Sequence, residues 1–234
     1  MLMETYDKKI VDQMLDAAQK AGADGADVSF IRGHGLDVQV RLGKVESAER
    51  SEDYQVGMRV FVGQRSANVS TGQLDADNIT ELAQRAVSMA KIAPEDPYAR
   101  LANAEEQARD LPDIELFDDT SISTEALSEM ALTCEAAALD TNGISNSDGA
   151  SASTGMSEIL IGTSTGFTAA YKRSSFGISA VVLAEHDGQM ERDYDYSAAV
   201  FAEDLEAATK IGKSAAERTL ARLGARKPQT GSFP

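Results

Sequence analysis

The sequence predicts an α+β fold of two similar helix–antiparallel strands–helix units, with the sheets packed against the helices. Three observations support this prediction. Segments with apolar residues at helical spacing flank segments in which apolar and polar residues alternate. The order helix, strands, helix occurs twice, over roughly 7–92 and 124–223. Short turn signals join the strands, which favours hairpins and antiparallel pairing over a parallel, doubly wound sheet.

The first predicted unit covers residues 1–93. Its opening helix, 7–21, carries one apolar stripe and ends at Gly22. Alternating or turn-bounded segments predict five short strands: 26–31, 36–42, 45–51, 54–62 and 66–70. The segment 33–35 and the pair Gly43–Lys44 are interpreted as turns. A closing helix follows an N-cap at Asp75 or Asp77.

Residues 94–122 differ in composition from the flanking segments. Pro94, Pro97 and Pro112 interrupt them, and most of their charged residues are acidic. Prolines without hydrophobic periodicity are typical of a surface segment. We therefore interpret 94–122 as an acidic, proline-containing connector.

The second predicted unit covers residues 123–224. A helix is predicted at 124–139, and a long closing helix at 202–223 with Gly224 as its C-cap. The strands between them are expected at 157–164, 167–173, 176–185 and 189–197. The last two strands are joined by Asp187–Gly188, a strong hairpin signal. Residues 225–234 are interpreted as a linker toward a missing C-terminal domain.

Composition and charge limit the classes of function. The chain has 234 residues, 42% of them hydrophobic, with a single cysteine and a formal net charge of −16. It contains no run of ~20 apolar residues and no apolar N-terminal signal segment, which together with the lone cysteine predicts a cytoplasmic protein without a membrane span. The negative charge disfavours direct nucleic-acid binding, whereas binding of a basic partner stays open.

The residues that commonly carry catalysis form no recognisable cluster. His34 and His186 are both interpreted as surface turn histidines, and neither has a second donor at the spacing of a zinc site. Cys134 lies on the apolar stripe of its helix and is expected to be a buried small hydrophobe. We find neither a nucleophile elbow nor a phosphate-binding loop. The sequence therefore predicts no catalytic residue, metal ligand or cofactor in this chain.

Two pairs of carboxylates are candidates for acid–base groups. Asp118 and Asp119 are adjacent in the connector and are expected to be solvated. Asp193 and Asp195 share one face of a strand, where two close charges could raise one pKa. In a chain this acidic, an exposed polar face is the preferred interpretation.

The segment 190–197 offers a candidate contact surface. Arg192, Tyr194 and Tyr196 fall on one face of the predicted strand, and arginine and tyrosine are enriched at interfaces. Tyr171 and Arg173 are expected to flank them on a neighbouring strand. The alternative is ordinary sheet packing with the tyrosine hydroxyl groups at the rim.

Seven short segments share their sequence and order with one known family. In one-letter code they are AGADGADV from Ala21, LGKVE from Leu42, VGMRVFVG from Val56, PEDPY from Pro94, NSDGA from Asn146, TGF from Thr165 and MERDYDYS from Met190. Each is weakly specific alone, but together they span almost the whole chain. In this order they resemble the TldD/PmbA family, and more closely its PmbA (TldE) branch.

The resemblance implies a role in proteolysis. Members of the family are known as modulators of DNA gyrase, and TldD and TldE proteins pair into a metallopeptidase associated with unfolded-peptide degradation, peptide maturation and antitoxin turnover. Its zinc is held by a His-Glu-x-x-x-His motif in the TldD subunit, and this sequence has no match to that motif. Family members are about twice as long, so the chain is expected to correspond to an N-terminal part.

The leading hypothesis is therefore a PmbA/TldE-like, non-catalytic subunit of a cytoplasmic, heteromeric zinc metallopeptidase. Its expected partners are a TldD-like catalytic subunit, which would hold the zinc, and unfolded or extended peptides; a homodimer stays open for the chain alone. An acidic binding module that regulates DNA gyrase is the alternative. A third possibility is an enzyme whose site is completed by residues outside this sequence.

Overall fold

The computed structural model describes residues 2–103, 105–112, 114–226 and 229–232. Over these residues the helices are α1 (Leu2–Ala21), α2 (Ala76–Ile92), α3 (Thr124–Leu139) and α4 (Ala208–Ala221), with a short 3-10 helix at Ala202–Asp204. The strands are β1 (Gly25–Arg41), β2 (Lys44–Val62), β3 (Arg65–Thr71), β4 (Ile144–Thr163), β5 (Thr168–His186) and β6 (Gln189–Ala199). The α+β class predicted from the sequence is confirmed.

Four strands are longer than the sequence indicates. β1 runs through the segment 33–35, so the turn predicted there is wrong, and His34 is an exposed residue inside a strand. β2 likewise joins 45–51 and 54–62 into one strand. The glycines of segment 33–35 adopt extended backbone, and glycine marks a turn only where the chain needs a positive φ. His186 is the last residue of β5, directly before the turn.

The hairpin turns follow from backbone conformation. The β1–β2 turn consists of Leu42, with φ 49°, and Gly43, with φ 73°, one residue earlier than predicted. Asp187 and Gly188 form the predicted β5–β6 turn with φ 50° and 75°. Two consecutive positive φ values are typical of the two-residue turn that matches the twist of antiparallel strands.

The helix ends agree with the sequence in part. Asp75 is the N-cap of α2, and its side chain accepts a hydrogen bond from the Asn78 backbone N–H. The helix at Thr124–Leu139 has the predicted bounds. The predicted helix at 202–223 begins later than expected, at Ala208, because residues 202–204 form a 3-10 turn and Leu205 is extended. The predicted linker 225–234 includes residues 227, 228, 233 and 234, which lie outside the described residues.

The six strands hydrogen-bond in the order β3-β2-β1-β4-β5-β6. β2 and β3 pair antiparallel with Val62 opposite Arg65, and β5 and β6 pair antiparallel with His186 opposite Gln189. β3 and β6 are therefore the two terminal strands of the order.

The chain divides into two compact units. Unit 1 comprises residues up to His34, Glu52–Leu116 and Ser157–Arg173; unit 2 comprises Gly35–Ser51, Phe117–Met156 and the residues from Ser174 onward. These units are discontinuous in sequence, unlike the predicted 1–93 and 123–224, because β1, β2, β4 and β5 each contribute residues to both. Among the described residues, no helix is long and apolar enough to cross a membrane.

Each unit has its own hydrophobic core. In unit 1, α1 and α2 contribute Met14, Leu82 and Val87, which pack with strand residues such as Phe30 and Met58. In unit 2, the helices contribute mainly small residues, including Ala131 and Ala215, which pack with Val38 and Val182. Each core thus buries the apolar stripe that the periodicity of its helices indicates.

Candidate functional site

The candidate surface lies on β6, in unit 2. Tyr194 and Tyr196 are 49% and 61% exposed, and their rings stack with centroids 6.3 Å apart. The Arg218 guanidinium of α4 lies 5.9 Å from the Tyr194 ring centre, within the range of a cation–π contact. Two exposed aromatic rings held side by side form a surface suited to contact another chain.

Arg192 belongs to the same exposed face. Its guanidinium donates to the Asp148 carboxylate from β4 at 2.8 Å, although more than half of the side chain is exposed. The ion pair fixes the direction of Arg192 on the sheet. Its contribution to stability is small because the pair is solvated.

The acidic residues of β6 point the other way, toward α4. Asp193 and Glu191 pair with Arg222 at 3.3 and 3.4 Å, and Asp195 pairs with Arg218 at 3.3 Å. The predicted exposed polar face is therefore wrong: these three carboxylates are half-buried and ion-paired. A catalytic pair is not favoured either, since each carboxylate has a cationic partner.

The same aspartates cap the backbone of β6. The N–H groups of Tyr194 and Tyr196 donate to Oδ1 of Asp193 and Asp195 at 2.8 and 2.9 Å. The bond from the Tyr194 N–H, followed by Arg222, lowers the pKa of Asp193. Asp193 is consequently ionised at neutral pH, so the cap on Tyr194 persists under physiological conditions.

Tyr171 and Arg173 lie in the N-terminal part of β5, in unit 1. Both are exposed, Tyr171 by 45%. The register of β5 against β6 extends from Phe176 to His186 and puts Ser179 and Val181 opposite Tyr196 and Tyr194. Tyr171 and Arg173 thus fall outside the paired segment, and their assignment to the contact surface stays a prediction.

The described residues do not fit a zinc site. No group of three or more His, Cys, Asp and Glu side chains among them is placed to hold a metal ion. His34 belongs to unit 1, whereas His186 belongs to unit 2 and lies 3.4 Å from the Asp187 carboxylate. Protein zinc sites use three or four converging donors, and these histidines offer no such set.

Cys134 is fully buried in the unit 2 core, as predicted. Burial, reinforced by the negative charge of Glu135, raises the pKa of its thiol to about 12. The thiol is therefore protonated at neutral pH and unsuited to nucleophilic catalysis.

Sequence reasoning missed Glu135, which is 1% exposed on α3. Its two carboxylate oxygens accept the backbone N–H groups of Leu42 and Gly43 at 2.9 and 2.8 Å. The available signal was an acidic residue directly beside the buried Cys134, in the otherwise uncharged C-terminal half of α3. Its role is structural, because it holds the β1–β2 turn.

A cleft in unit 1 was also not predicted. Its volume is about 660 Å³, and α1, the residues 99–103 and the residues 163–166 line it. The polar side chains at its wall include Asp12, Asp16 and Arg100, of which Arg100 is engaged by Glu106 at 2.7 Å. This ion pair joins two parts of the connector.

The comparisons with known proteins agree with this architecture. The family model for the central domain of the PmbA/TldA metallopeptidases matches residues 117–223, and that for domain 1 matches residues 26–90. The metalloprotease PmbA of Escherichia coli O157:H7 is 32% identical over 231 residues, which is 97% of this chain and 51% of the relative. A PmbA homologue of Haemophilus influenzae is 31% identical over 228 residues, 97% of this chain and 50% of the relative.

Solved structures share the fold. A proposed modulator of DNA gyrase from Bacteroides thetaiotaomicron superposes with a TM-score of 0.83 at 23% identity, over 96% of this chain and 52% of that one. TldE from Thermococcus kodakarensis superposes with a TM-score of 0.68 at 14% identity, over 90% of this chain and 47% of that one. The chain thus spans about half the length of the relatives it matches. Both domain matches and the curated relatives lead to one conclusion: the chain belongs to the PmbA/TldD metallopeptidase family.

Proposed function

We propose that this chain acts as a PmbA/TldE-type, non-catalytic subunit of a TldD/TldE-type zinc metallopeptidase that degrades or matures unfolded peptides. The observation that carries the proposal is the 32% identity to the metalloprotease PmbA across almost the whole chain. The zinc would be held by a TldD-like partner, since the donors described above do not form a site in this chain. Peptide maturation and antitoxin turnover are the processes in which such a complex would act.

Within this proposal, the exposed face of β6 contacts the catalytic partner or its peptide. Stacked tyrosines provide large, rigid contact area at low cost in side-chain entropy. Arg192 at 57% side-chain exposure adds a charged group at the margin of this face. The contact would use side chains, because the aspartate caps already engage the outward N–H groups of Tyr194 and Tyr196.

The test measures zinc content and peptide cleavage for the chain alone, for a TldD-like subunit alone and for the mixture. We expect zinc and cleavage to require the TldD-like subunit, and this chain to co-purify with it. Zinc-dependent cleavage by the isolated chain would reject the non-catalytic assignment.

A matched pair of variants tests the contact surface. Replacing both tyrosines (Tyr194→Ala with Tyr196→Ala) is expected to weaken pairing with the catalytic subunit or its peptide by about tenfold or more, the range of a hot spot. Tyr98→Ala is the control, because Tyr98 is 86% exposed and lies in the connector. Equal effects of the double variant and the control would remove β6 from the proposal.

The net charge of −16 favours one second candidate, an acidic module that binds a basic surface on DNA gyrase or a related protein. Such binding would be electrostatic and would weaken steeply with ionic strength. A pull-down with gyrase at low and raised salt distinguishes it, since pairing through the tyrosine face is expected to survive raised salt.

A further inference from the structure

The terminal strands β3 and β6 can be compared group by group. Each is the second strand of a hairpin with a two-residue turn, Gly63–Gln64 for β3 and Asp187–Gly188 for β6. In such hairpins the residues flanking the turn form a hydrogen-bonded pair, and alternate residues direct their N–H and C=O groups away from the partner. The outward residues are therefore Ser66, Asn68 and Ser70 in β3, and the even-numbered residues in β6.

Side chains of this protein already occupy part of the outer edge of β6. The Asp193 and Asp195 carboxylates accept the N–H groups of Tyr194 and Tyr196. Both carboxylates are also ion-paired, Asp195 with Arg218 of α4 and Asp193 with Arg222, the C-cap of that helix. An incoming strand would have to displace these charges. Inward-held charges and covered donors are devices by which edge strands avoid pairing.

The outer edge of β3 has no such device. Among the described residues, no group beyond β2 hydrogen-bonds to the backbone of residues 66–70. Hydrogen bonds from other segments reach only the residues that flank 66–70. On one side the Asp96 N–H donates to the Gln64 carbonyl at 2.7 Å, and on the other the Gln73 N–H donates to the Thr71 hydroxyl at 2.9 Å. Three outward N–H groups and three outward C=O groups remain between these points.

The side chains of this edge allow another strand to approach. Asn68 and Ser70 are exposed, and both line a shallow groove of about 420 Å³ together with Asp27, Ser29 and Arg59. β3 contains no acidic residue, although the chain carries a net charge of −16. A neutral edge in a negatively charged protein accepts a neutral or basic strand, whereas a second copy of this chain would be repelled.

The helix above β3 adds an apolar contact. The Arg65 guanidinium reaches the Lys91 carbonyl at 2.9 Å and places the C-terminal turn of α2 over the start of β3. Met89, 43% exposed, lies on the flank of α2 opposite to Gln84, which faces α1. A strand added to β3 would find Met89 beside its apolar side chains.

We propose that the outer edge of β3 binds an extended segment of a neutral or basic polypeptide by strand addition. Backbone pairing provides affinity without a sequence requirement, which suits a variable unfolded segment. The inference deepens the proposed function and rests on it for the role of the bound peptide. It assigns backbone pairing to β3 and leaves side-chain contact to β6.

The experiment measures the fluorescence anisotropy of a fluorescein-labelled peptide, Lys-Thr-Val-Thr-Val-Thr-Val-Lys, titrated with the full chain. Asn68→Pro removes an outward N–H without removing a bond to β2, because Asn68 is not in a hydrogen-bonded pair. We expect this variant to bind about tenfold more weakly or worse, the equivalent of at least one lost backbone bond.

Two controls match this change. Asn68→Ala keeps the N–H, and Ala198→Pro makes the same type of change at the outer edge of β6; both are expected to bind within about twofold of the unmodified chain. A peptide N-methylated at every Thr and Val tests backbone pairing without any protein variant. It is expected not to bind, whether or not Asn68→Pro folds normally.

Three outcomes would overturn the inference. The first is unchanged binding by a folded Asn68→Pro variant or by the N-methylated peptide. The second is a chain dimer, seen by sedimentation, that Asn68→Pro dissociates, since a second copy would then occupy the edge. The third is no peptide binding up to about 1 mM protein, the weak end of specific association. The chain could still pair with a TldD-like subunit in that case, so failure of strand addition at β3 is distinguishable from failure of the proposed function.

Discussion

Unit 1 fills its core with large side chains, whereas unit 2 relies on small ones. Phe30, Met14 and Met58 are among the largest fully buried side chains of unit 1. The unit 2 core contains alanines from both helices and from β4 and β5, and its largest fully buried side chains include Leu127 and the charged Glu135. The same order of elements is thus stabilised by bulk in one unit and by close backbone approach in the other.

The difference affects how each unit tolerates change. A core of large side chains can adjust rotamers around an added methyl group, whereas two helix backbones in contact cannot separate locally without losing their packing. Each unit has a glycine at which an added Cβ atom would collide with a neighbouring element. Gly162 of β4 faces the Val11 side chain of α1, and Gly212 of α4 faces the Cys134 backbone of α3.

The largest effect is expected for Gly212→Ala. A Cβ atom there would overlap the Cys134 carbonyl oxygen, and the helix backbones would have to move apart. We expect a loss of about 3 kcal/mol in the free energy of unfolding, at the upper end for overpacking. Urea denaturation followed by circular dichroism measures it.

Gly162→Ala sharpens the comparison. Its Cβ would lie 2.5 Å from Cγ1 of Val11, so a buried side chain has to shift but no backbone; we expect a loss of about 2 kcal/mol, since valine in a helix has one strongly preferred rotamer. Gly72→Ala is the control, since its Cβ would meet only the Tyr54 carbonyl oxygen at 3.8 Å. A cost at Gly162 equal to that at Gly212 would contradict the distinction between the two cores.

The sequence predicts the helical stripes well and the close approaches poorly. Periodicity identifies Leu127, Ala131 and Ala138 as one face, and they are buried. Gly212 lies on the buried face of α4 with Ile211 and Ala215. Helical spacing does not show which backbone packs there, because Cys134 is 78 positions earlier in the chain. The same reason explains why alternation predicts the Tyr194–Tyr196 face but not the arginines in and just after α4 that pair with the aspartates of β6.

An effect smaller than that of Gly212→Ala is expected at the two hairpin turns that carboxylates hold. In unit 2 the buried Glu135 accepts from Leu42 and Gly43, and in unit 1 the Asp24 carboxylate accepts the Gly63 N–H at 2.7 Å in an exposed position. Glu135→Ala would leave two N–H groups without their partner and is expected to cost about 2 kcal/mol. Asp24→Ala is expected to cost about 0.5 kcal/mol, because water can replace the carboxylate.

Hydrogen exchange of the turn amides measures these losses directly. We expect the amides of Leu42 and Gly43 to lose protection in Glu135→Ala, and Glu135→Gln to retain part of it through its amide oxygen. If Asp24→Ala and Glu135→Ala lowered the free energy of unfolding equally, burial of the carboxylate would not explain the difference expected between the two turns.

The smallest effect is expected in the pH dependence of stability. Burial raises the pKa of Asp7 in unit 1, although the nearby Arg32 guanidinium opposes the shift. The Ala202 N–H, followed by Thr120, lowers the pKa of Asp118 in unit 2. Stability linked to Asp7 is therefore fully present below its unfolded pKa, near 3.8, and is lost as pH rises through the folded value. Stability linked to Asp118 is present above 3.8 and is lost as pH falls through the folded value.

Asn replacements separate the two contributions, since an amide does not titrate in this range. For Asp7→Asn, the difference in unfolding free energy from the unmodified chain is expected to change with pH above 3.8. For Asp118→Asn, the same difference is expected to change with pH below 3.8. Urea denaturation across this range gives both slopes. If both free-energy differences changed with pH in the same window, Arg32, rather than burial, would determine the ionisation of Asp7. Unit 1 would then stabilise its ionised carboxylate by a contact of the same kind as unit 2 does.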